Sequence, residues 1–222
     1  MIRFENVCKS YSSGQLALDH VSFHLKKGEM AFLTGHSGAG KTTLLKLILA
    51  VEQADSGNIF LSTQEISRLK QKNIPALRRS IGMIFQNPHL LQKRTVFENV
   101  ALPLVIEGFR PYEINRRVHS ALEKVGLSRK EKLFPAQLSS GEQQRVGIAR
   151  AVVMNPVLMI ADEPTGNLDP DLAQEIMNLF VQFNDAGSTV LVASHDLNLV
   201  KKLHHRVLHL EHGKLLSGET RE

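Results

Sequence analysis

The chain has 222 residues, 42% of them hydrophobic and 22% charged, with a formal net charge of +5 and a single cysteine. That balance excludes a disordered, charge-dominated chain, and the length suits one α/β domain with an inserted lobe better than two large domains. Cys8 alone rules out an intrachain disulfide, and the start MIRFENVCKS lacks an apolar signal stretch while no apolar run nears the roughly 20 residues needed to cross a bilayer, which points to the cytoplasm.

In chain order, short strands are predicted over 2–7, 21–25, 30–34 and 58–61, broken by turn signals at Ser12-Ser13-Gly14 and Lys27-Gly28. One helix is predicted over 41–50, and a strand over 81–85. The spacing of Ile114, Val118, Leu122 and Val125 predicts a helix over 111–125, followed by an apolar helix over 146–153. Leu172, Ile176, Leu179, Phe180 and Phe183 repeat the helical spacing between two continuous apolar runs, 157–161 and 189–193. Such runs suit strands buried on both faces of a parallel sheet, and their alternation with helices predicts a βαβ layout.

Three segments carry chemistry. Gly35-His36-Ser37-Gly38-Ala39-Gly40-Lys41-Thr42 fits GxxxxGK[ST] between a predicted strand and a predicted helix. Its glycines let the backbone N–H groups and the helix N-terminus face a polyphosphate; Lys41 reaches the outer phosphates, Thr42 offers a hydroxyl to Mg²⁺, and Thr43 completes the cradle. The run 157–161 delivers Asp162 and Glu163 at a strand's C-terminal end, where parallel sheets bind ligands. Asp162 suits Mg²⁺, directly or through water, which leaves Glu163 to polarise an attacking water. Leu138-Ser139-Ser140-Gly141-Glu142-Gln143-Gln144-Arg145, finally, opens the helix over 146–153 with N-cap chemistry.

In this order, the three segments resemble the ATP-binding cassette ATPases over nearly the whole chain. The resemblance implies an α/β fold: a P-loop NTPase core with an antiparallel β subdomain, all within a single domain 1–222, and a helical subdomain inserted at about 87–140. It implies ATP hydrolysis with Mg²⁺, and it assigns roles to further residues. Ser139 and Gly141 resemble the signature-loop groups that contact the γ-phosphate of ATP on a second subunit, so two copies close over two ATP molecules. Gln86 is similar to the glutamine that senses Mg²⁺ and the attacking water, Asp169 to the D-loop aspartate, His195 to the switch histidine at the γ-phosphate, and Tyr11 to the aromatic that stacks on adenine. The chain departs from the family pattern at Ser140, where glycine is usual, and at Glu142, where glutamine is usual. If the backbone at Ser140 needs a positive φ, the signature loop is strained or shifted and hydrolysis slows.

Within the family, GEMAFLTGHSGAGKTTLLKLI, GMIFQNPHLL and ADEPTGNLD resemble the bacterial cell-division members. That implies a polytopic membrane partner, a peripheral place on the cytoplasmic face of the inner membrane, and ATP-driven signalling to septal cell-wall hydrolases. The lipoprotein-releasing members share the GEM start and PTGNLD and stand as the alternative; an ATP-dependent dimerising scaffold of low turnover is the alternative of another class. No nucleic-acid partner is expected, because the basic residues lie in short clusters without interleaved aromatics and no coiled-coil insertion or second cassette is present. Leu90, Leu91, Val96, Phe97, Leu102, Leu104 and Val105 are read either as the core of the helical lobe or as an exposed groove for a helix of the membrane partner.

Overall fold

The structure is a computed structural model that describes residues 1–11, 14 and 16–216. Its elements begin with β1 (Ile2–Ser10), β2 (Leu16–Leu25), β3 (Met30–Thr34), α1 (Lys41–Ile48), β4 (Ser56–Leu61), β5 (Gln64–Glu65), α2 (Ile74–Arg79) and β6 (Ile81–Phe85). Two helices follow, α3 (Val96–Ile106) and α4 (Pro111–Lys124), and then α5 (Ser140–Val152), β7 (Leu158–Asp162), α6 (Pro170–Asp185) and β8 (Thr189–Ala193). The last elements are α7 (Leu197–Lys202), β9 (Arg206–Glu211) and β10 (Lys214–Leu216). Apart from Gly14, the turn read at Ser12-Ser13-Gly14 lies outside the described residues.

Two sheets form. One is antiparallel, in the order β2-β1-β4-β5; the other has six strands in the order β10-β9-β3-β8-β7-β6, parallel except for the β10 hairpin. Side chains of a strand alternate between faces, and the six-stranded sheet uses that period to divide the core in two. Met30, Phe32, Met159, Ala161, Val190 and Val192 face a cluster built with α5 and α6. Their neighbours Ala31, Leu33, Leu158, Ile160, Leu191 and Ala193 face a second cluster with α1 and the antiparallel sheet. Burial on both faces explains why β3 and β8 read as unbroken apolar runs rather than alternating ones. Their C-terminal ends lie side by side, so the loops after β3, β6, β7 and β8 converge at one edge.

Local chemistry explains most element ends. Thr95 caps α3, its hydroxyl accepting from the Glu98 N–H at 3.2 Å while Glu98 Oε2 accepts from the Thr95 N–H at 2.7 Å. The helix predicted over 41–50 stops at Ile48, and Ala50 turns the chain with φ 49°. Val157, read as a strand residue, is exposed, and β7 begins one residue later. The sequence did not predict α3, because VFENVALPLVI is apolar nearly all round and carries Pro103, which hides the 3.6-residue stripe.

Between β6 and α5, the apolar residues have two fates. Leu90, Val96 and Leu104 are buried in the same cluster as α5, whereas Leu91 is 44% and Val105 58% exposed. The divide is made by Asn99, fully buried, whose amide donates to the carbonyls of Leu91, Arg94 and Thr95 and accepts from the Leu91 N–H at 2.8 Å. With its main chain tied to Asn99, the loop presents Leu90 inward and Leu91 outward. Among the described residues, no helix is long and apolar enough to cross a membrane.

Candidate functional site

An open cavity of about 670 Å³ lies at the strand-end edge, a size that suits a small-molecule ligand. The chain lines it with His36 through Lys41, then Thr42 and Thr43, and closes it from the other strands with Gln86, Asp162, Glu163 and His195. Tyr11 and Ala17 form its outer wall. Glycine is needed at two points of the loop after β3. Gly35 has φ 150°, and a Cβ there would sit 2.3 Å from the Leu210 carbonyl oxygen; Gly40 has φ 110°, and a Cβ there would sit 2.4 Å from the Ala17 carbonyl oxygen. No L side chain fits either place, so the curl that brings the loop backbone and the α1 N-terminus to the cavity depends on both.

Lys41, the first residue of α1, donates through Nζ to the Gly35 carbonyl at 2.7 Å and the His36 carbonyl at 3.3 Å, and lies 4.0 Å from Glu163 Oε1. Its ammonium is thus held over the cavity by the loop's own backbone. Glu163 takes φ 50°, a left-handed conformation that costs a non-glycine residue on the order of 1 kcal/mol. Two contacts hold it there: its N–H donates to the Ala193 carbonyl at 3.0 Å, and its Oε2 accepts from the His195 N–H at 3.2 Å with His195 Nδ1 2.7 Å away. A carboxylate braced by two neighbouring strand ends is fixed in place at the cavity, where it can accept a hydrogen bond from a water.

Burial pushes the Asp162 carboxyl above the usual carboxylate range, the charge of Glu163 adds to that push, and Lys41 opposes it. A carboxyl with a raised folded-state pKa favours the fold most when protonated, below the ordinary carboxylate pKa, and that contribution is lost as pH rises through the raised value. Asp162→Asn removes the charge that burial penalises. We therefore expect the nucleotide-free variant to melt higher than the native chain at pH 7, with the difference closing on acidification below the ordinary carboxylate range. Paired thermal melts across pH check this, and a lower melting point at pH 7 contradicts it. A divalent cation would relieve the same penalty. Thr42, Gln86 and Asp162 all line the cavity, and a hydroxyl, an amide oxygen and a carboxylate make a hard donor set that fits Mg²⁺.

Four residues singled out from the sequence do not line the cavity, and one of them, Gly35, is buried directly after β3. Ser139 is exposed and caps α5, its hydroxyl accepting from the Glu142 N–H at 3.3 Å. Gly141 lies in the first turn of that helix, against Leu172. Asp169 caps α6 by accepting from the Leu172 N–H at 3.0 Å. Ser140 is the first residue of α5 and is not among the described residues with positive φ, so the strain expected for a serine there does not arise. Tyr11 stands at the rim with its hydroxyl 3.3 Å from Thr43 Oγ1.

Sequence reasoning missed the residues that aim Gln86. Gln144, nearly fully buried, donates to the Phe85 carbonyl at 2.9 Å and pins the last residue of β6, while Gln86 Nε2 donates to Asn167 Oδ1 at 3.1 Å. Both sit inside strings already singled out, GEQQR and GNLD, but nothing in their spacing tells a buried amide from a solvated one.

The fold and the cavity together define a P-loop nucleoside-triphosphate cassette. A family profile described as ABC transporter matches residues 18–166, and the chain belongs to that family. It is 57% identical over 222 residues, the full length of both chains, to the cell division ATP-binding protein FtsE of Escherichia coli K12, and 52% identical to FtsE of Haemophilus influenzae over 97% of this chain and 99% of that one. Among solved structures, the ATP-binding cassette MJ0796, in a dimeric post-hydrolysis state bound to ADP and Pi, matches with TM-score 0.88 and 34% identity over all of both chains. CbiO1 of Clostridium perfringens, part of an ABC transporter complex, matches with TM-score 0.93 and 32% identity over 99% of this chain and 88% of that one.

Proposed function

We propose that this chain is the ATP-hydrolysing subunit of a cell-division complex of the FtsE/FtsX type, working as a pair of cassettes on the cytoplasmic face of the bacterial inner membrane with an FtsX-like polytopic membrane protein. The observation that carries this reading is the 57% identity to FtsE over the whole of both chains. The scaffold alternative drew its support from strain at Ser140, and that residue is helical.

In the mechanism we propose, the loop 35–42 and Lys41 bind the β- and γ-phosphates while Tyr11 packs on the base. Thr42, Gln86 and Asp162 would hold Mg²⁺, which would supply positive charge to neutralise the phosphate oxygens. Glu163, braced by His195, orients a water against the γ-phosphorus; the water oxygen bonds to phosphorus, its proton passes to the carboxylate, and the bond to the bridging oxygen breaks to give ADP and phosphate. Ser139 and Gly141 of a second copy meet the γ-phosphate across the interface, where the N-terminus of α5, a helix of 13 residues, presents free N–H groups to an anion. Asp169 caps α6, whose first turn packs through Leu172 against Gly141. The helical segment 87–140 receives the membrane partner, and Gln86 at its root links partner and γ-phosphate.

The experiment is co-purification in detergent with the FtsX-like protein, using two single variants. Leu91→Ser alters an exposed side chain, so we expect capture to fall sharply with an unchanged melting temperature. Leu90→Ser opens the core at a cost of about 3–5 kcal/mol and lowers the melting temperature directly. Full capture by the Leu91 variant removes this surface from the contact, and failure of the native chain to capture the FtsX-like protein removes the division assignment.

A further inference from the structure

Away from the nucleotide cavity, the pairing of β1 with β2 slips. Val7 stands opposite Val21, but Lys9 stands opposite Leu18, so β2 spends one residue more than β1 over the same stretch. The extra residue makes a bulge at Asp19-His20, and His20 takes φ 51° within it. In a regular strand these two neighbours would point to opposite faces. The bulge turns both toward Cys8, the residue of β1 that the slipped register leaves unpaired with β2. One ligand atom from each of Cys8, Asp19 and His20 lies within 4.8 Å of the other two.

We infer that Cys8, Asp19 and His20 form a site for a Zn²⁺-class transition-metal ion, with a fourth position open to solvent. A sulfur, an imidazole nitrogen and a carboxylate oxygen make the mixed donor set that zinc accepts, and three protein ligands with an open fourth position are a recurrent zinc arrangement. Magnesium and calcium take oxygen donors and do not compete for the thiolate. Tetrahedral coordination needs ligand atoms roughly 3.3–3.8 Å apart, as follows from metal–ligand distances near 2.0–2.3 Å. The ligand atoms lie within 4.8 Å of one another, and His20 is exposed while Cys8 and Asp19 are partly so, which leaves the side chains room to close toward that value.

The present contacts are those a cation would replace. His20 Nδ1 lies 2.6 Å from Asp19 Oδ1, the His20 N–H reaches Cys8 Sγ at 3.3 Å, and Lys214 Nζ approaches Asp19 Oδ2 at 3.3 Å. The Lys214 side chain is 66% exposed, so its ammonium moves to solvent when a divalent ion takes the carboxylate. Backbone hydrogen bonds link the ligands to the phosphate loop through the β9–β10 turn: the Asp19 N–H donates to the Gly213 carbonyl at 2.8 Å, and the Gly213 N–H donates to the Ala39 carbonyl at 3.2 Å.

Co²⁺ is the probe, titrated into the full nucleotide-free chain under reducing conditions with Mg²⁺ in excess to occupy the all-oxygen donors of the nucleotide cavity. A thiolate-to-cobalt charge-transfer band that saturates at one ion per chain and is displaced by Zn²⁺ is the expected result. Cys8→Ser should abolish the band, and His20→Ala should weaken Zn²⁺ binding at least tenfold in a competition titration, with melting temperatures near that of the native chain. Absence of the band in the native chain overturns the proposal, as does a Zn²⁺ affinity that neither variant changes.

Discussion

Glu163→Gln should bind ATP with nearly native affinity and hydrolyse it at least a hundredfold more slowly. The amide keeps the volume of the side chain and still accepts from the His195 N–H through its oxygen, so the brace across the β7 and β8 ends survives. In the proposed mechanism it loses the basic oxygen that orients the water and takes its proton, a contribution worth about 10²–10⁴ in rate. The 4.0 Å approach of Lys41 to Glu163 Oε1 also loses its charge partner, which removes one competitor of the γ-phosphate for the ammonium. Because the bound γ-phosphate persists, a second copy should stay docked on it, and light scattering should find the variant as an ATP-dependent dimer. Steady-state phosphate release at the native rate would remove Glu163 from the chemistry.

Lys41→Ala should weaken Mg·ATP binding about ten- to hundredfold while leaving the nucleotide-free fold close to native. Lys41 Nζ already satisfies itself on the Gly35 and His36 carbonyls, so binding exchanges those neutral acceptors for phosphate oxygens. The net gain is that of a charge-assisted hydrogen bond, about 1.5–3 kcal/mol, and 1.4 kcal/mol is a factor of ten in affinity. The loop's curl does not depend on the lysine, since Gly35 and Gly40 set it. A fluorescent-nucleotide titration measures the change, and an unaltered affinity contradicts the role given to Lys41.

Much of the site was legible along the chain because its chemistry is local. Where a loop must turn at φ 110–150° with a carbonyl oxygen where a Cβ would sit, as at Gly35 and Gly40, only glycine serves, and a lysine and a threonine follow at once on the helix it opens; that leaves a signature in consecutive residues from Gly35 to Thr42. Strands buried on both faces must be apolar throughout, so β3, β7 and β8, and the acids and histidine at their ends, could be placed before any coordinates.

Tertiary structure alone decided matters that packing sets rather than local spacing. Leu90 and Leu91 are chemically identical, and only the buried amide of Asn99, eight residues beyond Leu91, turns one inward and the other to solvent. Ser140 could be judged strained or relaxed only once α5 was seen to begin there. Gln144 and Asn167 became positioning residues for Gln86 only when the loops after β6 and β7 met. Cys8 and His20 came together only through a one-residue slip between two strands. Register, burial of a single polar group and the meeting of loops are fixed by packing across the whole domain, so no spacing within one segment records them.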